Sequence, residues 1–364
     1  MTGDHPTGWT RVEKSERIMA THISVHVATL ADRRAEAEAQ IDACLAFFRS
    51  VDATLSRFDG ASELSRVNAA PTVWHTVSPM LFDVLAESIA AARATGGLFD
   101  PALLPLLTAL GYDRDFSLFA YTETHRVRRP HARPATTSTW AEIEMDATHR
   151  RIRLPTGAQL DFGGIAKGWA ADVALERFFP PDASVLLNLG GDMRARGEER
   201  PGEPWPIGIG DPHAGDGLKH RVVVGLRSGG IATSGGTLRW WYRDGMPQHH
   251  IVDPRSRQPA QVWLPHVSAE HAATTIATAT ALAPTAGHAE VAAKVALLRG
   301  YPDCLHAVRC EGNGMRGGER HAYAPYGDTE VALIVILGSG EVVCSENVAA
   351  YLRLWGGSGE IWML

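Results

Sequence analysis

The spacing of apolar positions along the chain changes period several times, and each change marks an element. Ile23-Ser-Val-His-Val27 alternates apolar and polar residues, the two-residue period of a half-buried strand. From about Asp32 to Leu55, the residues Ile41, Leu45, Phe48, Val51 and Leu55 recur on one face, which predicts a long amphipathic helix. A second helix is expected from about Pro79 to Ala94, with proline at its start and Gly96-Gly97 after its end. Arg151 to Leu154 reads as a strand, Pro155-Thr-Gly157 as a turn, and a second short strand is expected beyond it. Ile165, Trp169, Val173 and Phe178 then recur at helical spacing, to about Phe179. Ser184-Val-Leu-Leu-Asn-Leu-Gly-Gly-Asp192 is an apolar run ending in a turn, which suits a buried strand delivering a loop. Further strands are expected at Trp205–Ile209, Val222–Leu226, Gly230–Thr233 and around Ile251. The Ala-rich segment Ala272–Leu298 breaks at Pro284 and continues as a helix, and Val331–Leu337, Gly338-Ser-Gly340 and Glu341–Cys344 give a hairpin.

The remaining segments carry less pattern. Residues 1 to about 17 are polar and are expected to be loose; Ser56 to Asn68 is polar with apolar anchors; Leu98 to Leu107 mixes apolar bulk with prolines. Asp113–Thr139 is rich in Arg, His, Pro and Thr without a period and reads as a surface excursion. No repeat and no Pro/Gly/Ser-rich linker divides the rest, so residues 18–355 read as a single domain.

Composition narrows the class. With 364 residues, 45% hydrophobic and 21% charged, the chain is an ordinary globular protein long enough for a large core. A net charge of −6 without a Lys/Arg run argues against general nucleic-acid binding. Cys44, Cys304, Cys310 and Cys344 form no CxxC pair and are expected as reduced thiols. Met1-Thr-Gly-Asp-His-Pro6 lacks the apolar core of a signal peptide, and no window approaches the roughly 18 apolar residues of a membrane span, so a cytoplasmic location without membrane insertion is expected.

The candidate chemistry centres on Leu160-Asp-Phe-Gly-Gly-Ile-Ala-Lys-Gly-Trp-Ala-Ala-Asp172. Gly163-Gly164 lies at a strand-to-helix junction, where the first free amides of a helix point outward and its dipole favours anions. Lys167 adds a cation within the first turn. One reading is a phosphate or pyrophosphate site; the other is a tight junction with a solvated lysine. The stretch matches neither GxGxxG nor the P-loop pattern, and the residues alone do not separate the two.

Six segments in one order carry a resemblance. They are Ser56-Arg-Phe with Ser62-Glu-Leu-Ser-Arg-Val-Asn68, Thr95-Gly-Gly-Leu-Phe-Asp-Pro101, Leu160 to Gly168, Asn188-Leu-Gly-Gly-Asp192, Ala232-Thr-Ser-Gly235, and His250-Ile-Val-Asp-Pro-Arg255. From about Met19 to Leu298 the chain resembles the ApbE-type FAD:protein FMN transferases. The resemblance implies an α+β, T-fold-related fold with two lobes around a central cleft that holds FAD. It implies transfer of FMN from FAD to a Ser or Thr hydroxyl of a target flavoprotein, with release of AMP and a magnesium ion at the pyrophosphate. Two alternatives accompany it: hydrolysis of FAD to FMN and AMP, or a flavin-binding relative that has lost transfer and acts as a carrier, regulator or partner subunit. His250 takes the role of general base, while His249 and the other histidines read as structural. Ser62, Glu63, Asn68, Gly163, Gly164, Ala166, Lys167, Asn188, Gly190, Gly191, Asp192, Thr233 and Ser234 are carried over as FAD contacts. Asp253 and Asp100 read as turn or cap residues beside prolines.

The metal motif departs from the pattern. The family's site joins a main-chain carbonyl, at Ala166 here, to an Asp and a Thr one helical turn apart; this chain has Glu290 and Lys294 at those positions. Glu290 keeps a hard oxygen ligand with one more methylene of reach, whereas the Lys294 ammonium cannot coordinate a metal. One expectation is an ordinary surface ion pair at i, i+4; the sharper one is that Lys294 stands in for the metal at the FAD pyrophosphate. The family's Met-Gly-Thr also reads Met19-Ala20-Thr21, a change expected to crowd the ligand.

Overall fold

The computed structural model describes residues 8–116, 139–214, 219–243, 245–265, 271–306, 331–352 and 362–363. Its main sheet has eight strands: β1 (Trp9–Ile18), β2 (Thr21–Leu30), β3 (Ser184–Leu189), β4 (Asp192–Arg196), β5 (Ser228–Gly235), β6 (Ile276–Ala283), β7 (Ala332–Leu337) and β8 (Val342–Cys344). They lie side by side in chain order, each antiparallel to the next. The helices are insertions into this meander. Five fall between β2 and β3: α1 (Arg34–Leu55), α2 (Glu63–Ala69), α3 (Pro79–Ala94), α4 (Leu104–Ala109) and α5 (Ala166–Phe178); α6 (Ala286–Arg299) falls between β6 and β7.

Alternation within the strands explains the layering. Val25, Leu187, Leu333 and Val335 share a core with Ile41 of α1, Leu175 of α5 and Val291 of α6. Their neighbours Leu186, Ile334 and Ile336 face the other way, into a second core with Trp205, Ile207 and Leu226. Those last three belong to an antiparallel pair, Trp205–Gly210 with His220–Leu226, that covers the far face. A strand buried on both faces cannot alternate, which is why β7 reads Ala-Leu-Ile-Val-Ile-Leu and is buried throughout. The smaller lobe, α2 and α3 with a three-stranded sheet of His75–Thr76, Arg151–Arg153 and Glu144–Asp146, joins the helix-side core through Leu64, Leu81 and Ile152.

Two expectations are corrected, and one segment without a pattern proves to hold a helix. The polar segment expected to be loose is, from Trp9 onward, a ten-residue strand. A backbone ladder needs no apolar side chains, and the polar ones are tied to α1 by Arg49–Glu16 at 2.6 Å and by Lys14–Asp42. The polar stretch after Ser56 contains α2, capped by Ser62. The second strand expected after Gly157 is only an isolated bridge between Leu103 and Gln159. Residues 1–7, residues 117–138 of the Asp113–Thr139 excursion, and Cys310 lie outside the described residues. Cys44, Cys304 and Cys344 are free thiols. Among the described residues no helix is long and apolar enough to cross a membrane.

Two contacts position the site. The first is a two-residue turn at Met19-Ala20, φ 55° and 56°, which closes the Ile18–Thr21 pair of β1 and β2. Both residues sit in the left-handed region that L side chains disfavour. The second is the crossing of α5 and α6. A Cβ on Gly168 would lie 2.6 Å from the backbone of Ala286 and Gly287, so only glycine permits this approach. The helices also cap each other. Asp172 of α5 accepts the Ala286 and Gly287 amides at 2.9 Å each, and Glu290 of α6 accepts the Gly168 amide at 2.9 Å. Burial, partly offset by those amides and by Arg194, raises the Asp172 carboxyl to about 6.

Gly168→Ala is expected to destabilise the fold by about 1–3 kcal/mol through overpacking against backbone, read as a lower thermal midpoint. Ala20→Gly is expected to stabilise it by about 1 kcal/mol by relieving the left-handed conformation; an unchanged or lower midpoint would show that the turn carries no such strain.

Candidate active site

A cavity of about 670 Å³ opens between the Met19-Ala20 turn, the end of α1, the Asp161–Lys167 loop, α6 and the segment Leu238–Val252. That size is ordinary for a small-molecule site. Leu55, Leu103, Leu107 and Leu298 make its walls apolar; Arg17, Arg57, Lys167, Arg239 and Lys294 bring five cationic side chains to its lining. Phe58 and Tyr112 add an aromatic wall, with ring centres 6.0 Å apart.

The Gly163-Gly164 loop is fixed from several sides. The Asn68 side chain donates to the Leu160 carbonyl at 2.9 Å and accepts its amide at 2.7 Å, imitating a strand partner. The Asp161 carboxylate accepts the Gly163 amide at 2.7 Å and pairs with Arg57 Nε at 3.3 Å. Arg57 in turn donates to the Tyr112 carbonyl at 3.0 Å and lies over the rings of Phe58 and Tyr112, at 4.2 and 4.5 Å from their centres. Gly164 leaves room for a side chain from α6: a Cβ there would stand 3.2 Å from Lys294 Cε.

Beneath this loop lies a lysine–carboxylate cluster. Lys167 Nζ bonds to Asp192 and to Glu290 Oε1, the latter at 2.8 Å; Lys294 Nζ sits 3.3 Å from the same Oε1. Glu290 is fully buried, so the pair with Lys294 is not the ordinary surface ion pair that its i, i+4 spacing suggests. Burial disfavours the ionised Glu290, yet Lys167 and Lys294 outweigh it and hold the carboxyl below its usual range. Burial disfavours the Lys167 ammonium too, and Asp192 with Glu290 outweighs that and raises it. Asp192 shares one ammonium with a second carboxylate; burial raises it.

The same geometry tests the magnesium site that the sequence raised. Glu290 Oε1 faces two ammonium groups, and Oε2 holds the Gly168 amide. Asp192 Oδ2 faces Lys167. Mg²⁺ asks for oxygen ligands in near-octahedral array at about 2.0–2.1 Å. Here the residue one turn beyond Glu290 offers no lone pair and carries positive charge. Among the described residues no group of three or more His, Cys, Asp or Glu is arranged to hold a metal ion. The residues at this position do not fit a divalent cation.

His250 lines the cavity and its Nδ1 lies 3.3 Å from the Arg239 carbonyl. A carbonyl only accepts, so Nδ1 carries the proton and Nε2 keeps its lone pair. Burial, then the charge of Arg239, and also His249 and Lys294, hold the imidazole well below its ordinary 6.5. His249 differs: Nε2 donates to the Ala260 carbonyl at 2.9 Å and Nδ1 accepts the Ile251 amide at 3.2 Å, so both nitrogens are engaged by backbone.

The structure thus brings Gly163, Gly164, Ala166, Lys167, His250 and Lys294 together at one cavity, with Asp192 and Glu290 behind Lys167. It places the other carried-over residues elsewhere. Ser62 caps α2, and Glu63 accepts the Ser78 amide and hydroxyl, tying α2 to the start of α3. Asn68 holds the Leu160 backbone. Gly190 and Gly191 form the turn from β3 to β4, and both amides are used internally, by the His22 carbonyl and by Asn188. Thr233 meets Thr280 across β5 and β6 at 2.7 Å, and Ser234 is buried in the same strand. These residues build the frame; they do not line the cavity. Residue patterns missed Arg57, Asp161, Tyr112 and Arg239 as lining groups. Arg57 and Asp161 lay inside quoted motifs, whereas Tyr112 and Arg239 carry no local signal.

The comparisons with known proteins agree with this frame. The family model described as the ApbE family matches residues 19–309. A protein of Treponema pallidum (strain Nichols) named FAD:protein FMN transferase is 32% identical over 257 residues, covering 64% of this chain and 67% of its own length. One of the same name from Haemophilus influenzae is 27% identical over 237 residues, covering 61% of this chain and 65% of its own length. In fold, the chain is similar to the ApbE protein of Thermotoga maritima, with a TM-score of 0.74 at 23% identity over 95% of this chain and all of the other. The flavinyl transferase ApbE of Pseudomonas stutzeri, in its apo form, gives a TM-score of 0.71 at 21% identity over 96% and 98% of the two chains. With a family model spanning nearly all of the described core and a cavity built from that family's own motifs, the chain belongs to the ApbE family.

Proposed function

We propose that this protein transfers FMN from FAD to a Ser or Thr hydroxyl of a target flavoprotein and releases AMP. One observation carries the reading: a histidine whose Nδ1 faces the Arg239 carbonyl, leaving Nε2 as the base nitrogen, shares a cavity with the Gly163–Lys167 loop and with Lys294. The acceptor hydroxyl oxygen attacks the phosphorus that bears the riboflavin. The bond from that phosphorus to the bridging oxygen breaks, and AMP leaves with the electron pair. His250 Nε2 takes the hydroxyl proton and later yields it to water. Phosphoryl transfer asks mainly for alignment and charge neutralisation, which the glycine loop and the Lys294 ammonium beside it are suited to supply. The apolar wall with Phe58 and Tyr112 suits a flavin ring. A cytoplasmic site of action belongs to the same reading, and fractionation of producing cells tests it.

Incubation with FAD and a flavoprotein fragment bearing an acceptor Thr is expected to give AMP and an FMN-sized mass gain on the fragment. AMP without the mass gain would assign FAD hydrolysis instead; bound FAD with neither product, across two acceptors, would assign a binding role. His250→Ala is expected to lower the transfer rate by about 10²–10⁴-fold while FAD still binds.

The acid limb is set by His250. Its base form is the neutral imidazole, and a depressed pKa keeps that form present at every pH above the depressed value. The rate is therefore expected to stay level as pH falls from 8 through about 6.5, the ordinary histidine value, and to decline only below it. A pH–rate profile with a single acid limb centred near 6.5 would remove His250 from the role.

A further inference from the structure

We infer that Lys294 is a built-in cation for the diphosphate of FAD, at the position where a divalent ion would otherwise sit, and that FAD binding by this chain needs no metal. The inference rests on the flavin-transfer reading and concerns how that site handles charge. Lys294 reaches the cavity lining directly past Gly164, where a Cβ would stand 3.2 and 3.4 Å from its Cε and Cδ. Its ammonium is steered by its own helix turn, with Nζ 3.4 Å from the Glu290 carbonyl and 3.3 Å from Glu290 Oε1. Both contacts are long for charge-assisted bonds, and an ammonium has three donors, so capacity is left for an anion in the cavity.

Lys167 has the complementary task. Held by Asp192 and by Glu290 Oε1, and with Glu290 Oε2 fixed by the Gly168 amide, it clamps the carboxylate that steers Lys294. Glu290 thus faces two ammonium groups and an amide, and with Asp192 the cluster holds two charges of each sign, which leaves a further cation no uncompensated carboxylate. The result is one flexible monovalent charge on a rigid anchor, placed on the same cavity wall as the glycine loop.

The test is a set of flavin-fluorescence titrations with FAD and with riboflavin, which has no phosphate, each in EDTA and in excess Mg²⁺. For the unaltered protein the FAD affinity is expected to be the same in both buffers. Lys294→Gln is expected to weaken FAD about 10- to 100-fold and leave riboflavin unchanged, with Lys294→Arg retaining most of the FAD affinity. A merely structural Lys294 would move both flavins together. Tenfold tighter FAD binding in Mg²⁺ than in EDTA, or a Lys294→Gln protein with unaltered FAD affinity, would overturn the inference and leave the transfer reading standing. Failure to bind either flavin in any buffer would overturn both. Should Lys294→Gln not fold, the double variant Glu290→Asp with Lys294→Thr serves: it is expected to bind FAD only with Mg²⁺, and binding indifferent to the ion would count against the inference.

Discussion

Helices α5 and α6 meet backbone to backbone at Gly168 and Ala286, and each supplies the carboxylate that caps the other's first turn. Most of what the cavity does follows from this contact. Asp172 holds the start of α6 and Glu290 holds the start of α5, so neither helix can slide without stranding buried amides and a buried charge. Because α5 begins at the glycine loop and α6 carries Lys294, the same contact fixes the loop and the cation relative to each other. The glycine costs α5 some helix propensity, roughly 1 kcal/mol, and the close approach it permits is worth more to the site than the propensity lost.

Charge in the cavity is arranged around that contact. Buried carboxylates are tolerated only when paired, and Glu290 is paired twice over, with an ammonium on each side and an amide behind. The extra methylene of Glu relative to Asp lets one carboxylate reach across the helix interface to both Lys167 and the Gly168 amide. Glu290 and Lys294 act as one unit in this cluster, joined through Oε1. An acid that satisfies the neighbouring helix and a basic residue one turn later make, with Lys167 and Asp192, a self-contained ionic cluster.

The segments legible without the structure were those with strong periodicity or paired end signals. Helix α3 runs from Pro79 to Ala94 as its proline and following glycines indicate, and β3 occupies Ser184–Leu189 within its apolar run. β1 was not legible, because an edge strand held by a backbone ladder and by ion pairs to α1 has no apolar period to read. Among candidate site residues, Gly163, Gly164, Lys167, His250 and Lys294 were singled out through the resemblance and its departure at position 294, and all five line the cavity. Ser62, Glu63, Asn68 and Asn188, carried over as ligand contacts, serve as caps and backbone partners, roles that polar side chains fill equally well and that no pattern along the chain separates from ligand binding.

The sequence by itself determined the class of fold, the order of its strongly patterned elements and, through the resemblance, the family. Hydrophobic periodicity and glycine positions are local properties, and six ordered motifs constrain a chain far more than any one of them. Tertiary structure alone decided what each polar side chain faces. Arg57, Tyr112 and Arg239 reach one cavity from segments far apart in sequence, and Lys167 finds Asp192 and Glu290, 25 and 123 residues away. Whether an acid caps a helix, clamps a lysine or holds an ion depends on distances of a few tenths of an ångström between elements, and no pattern along a single chain encodes those distances.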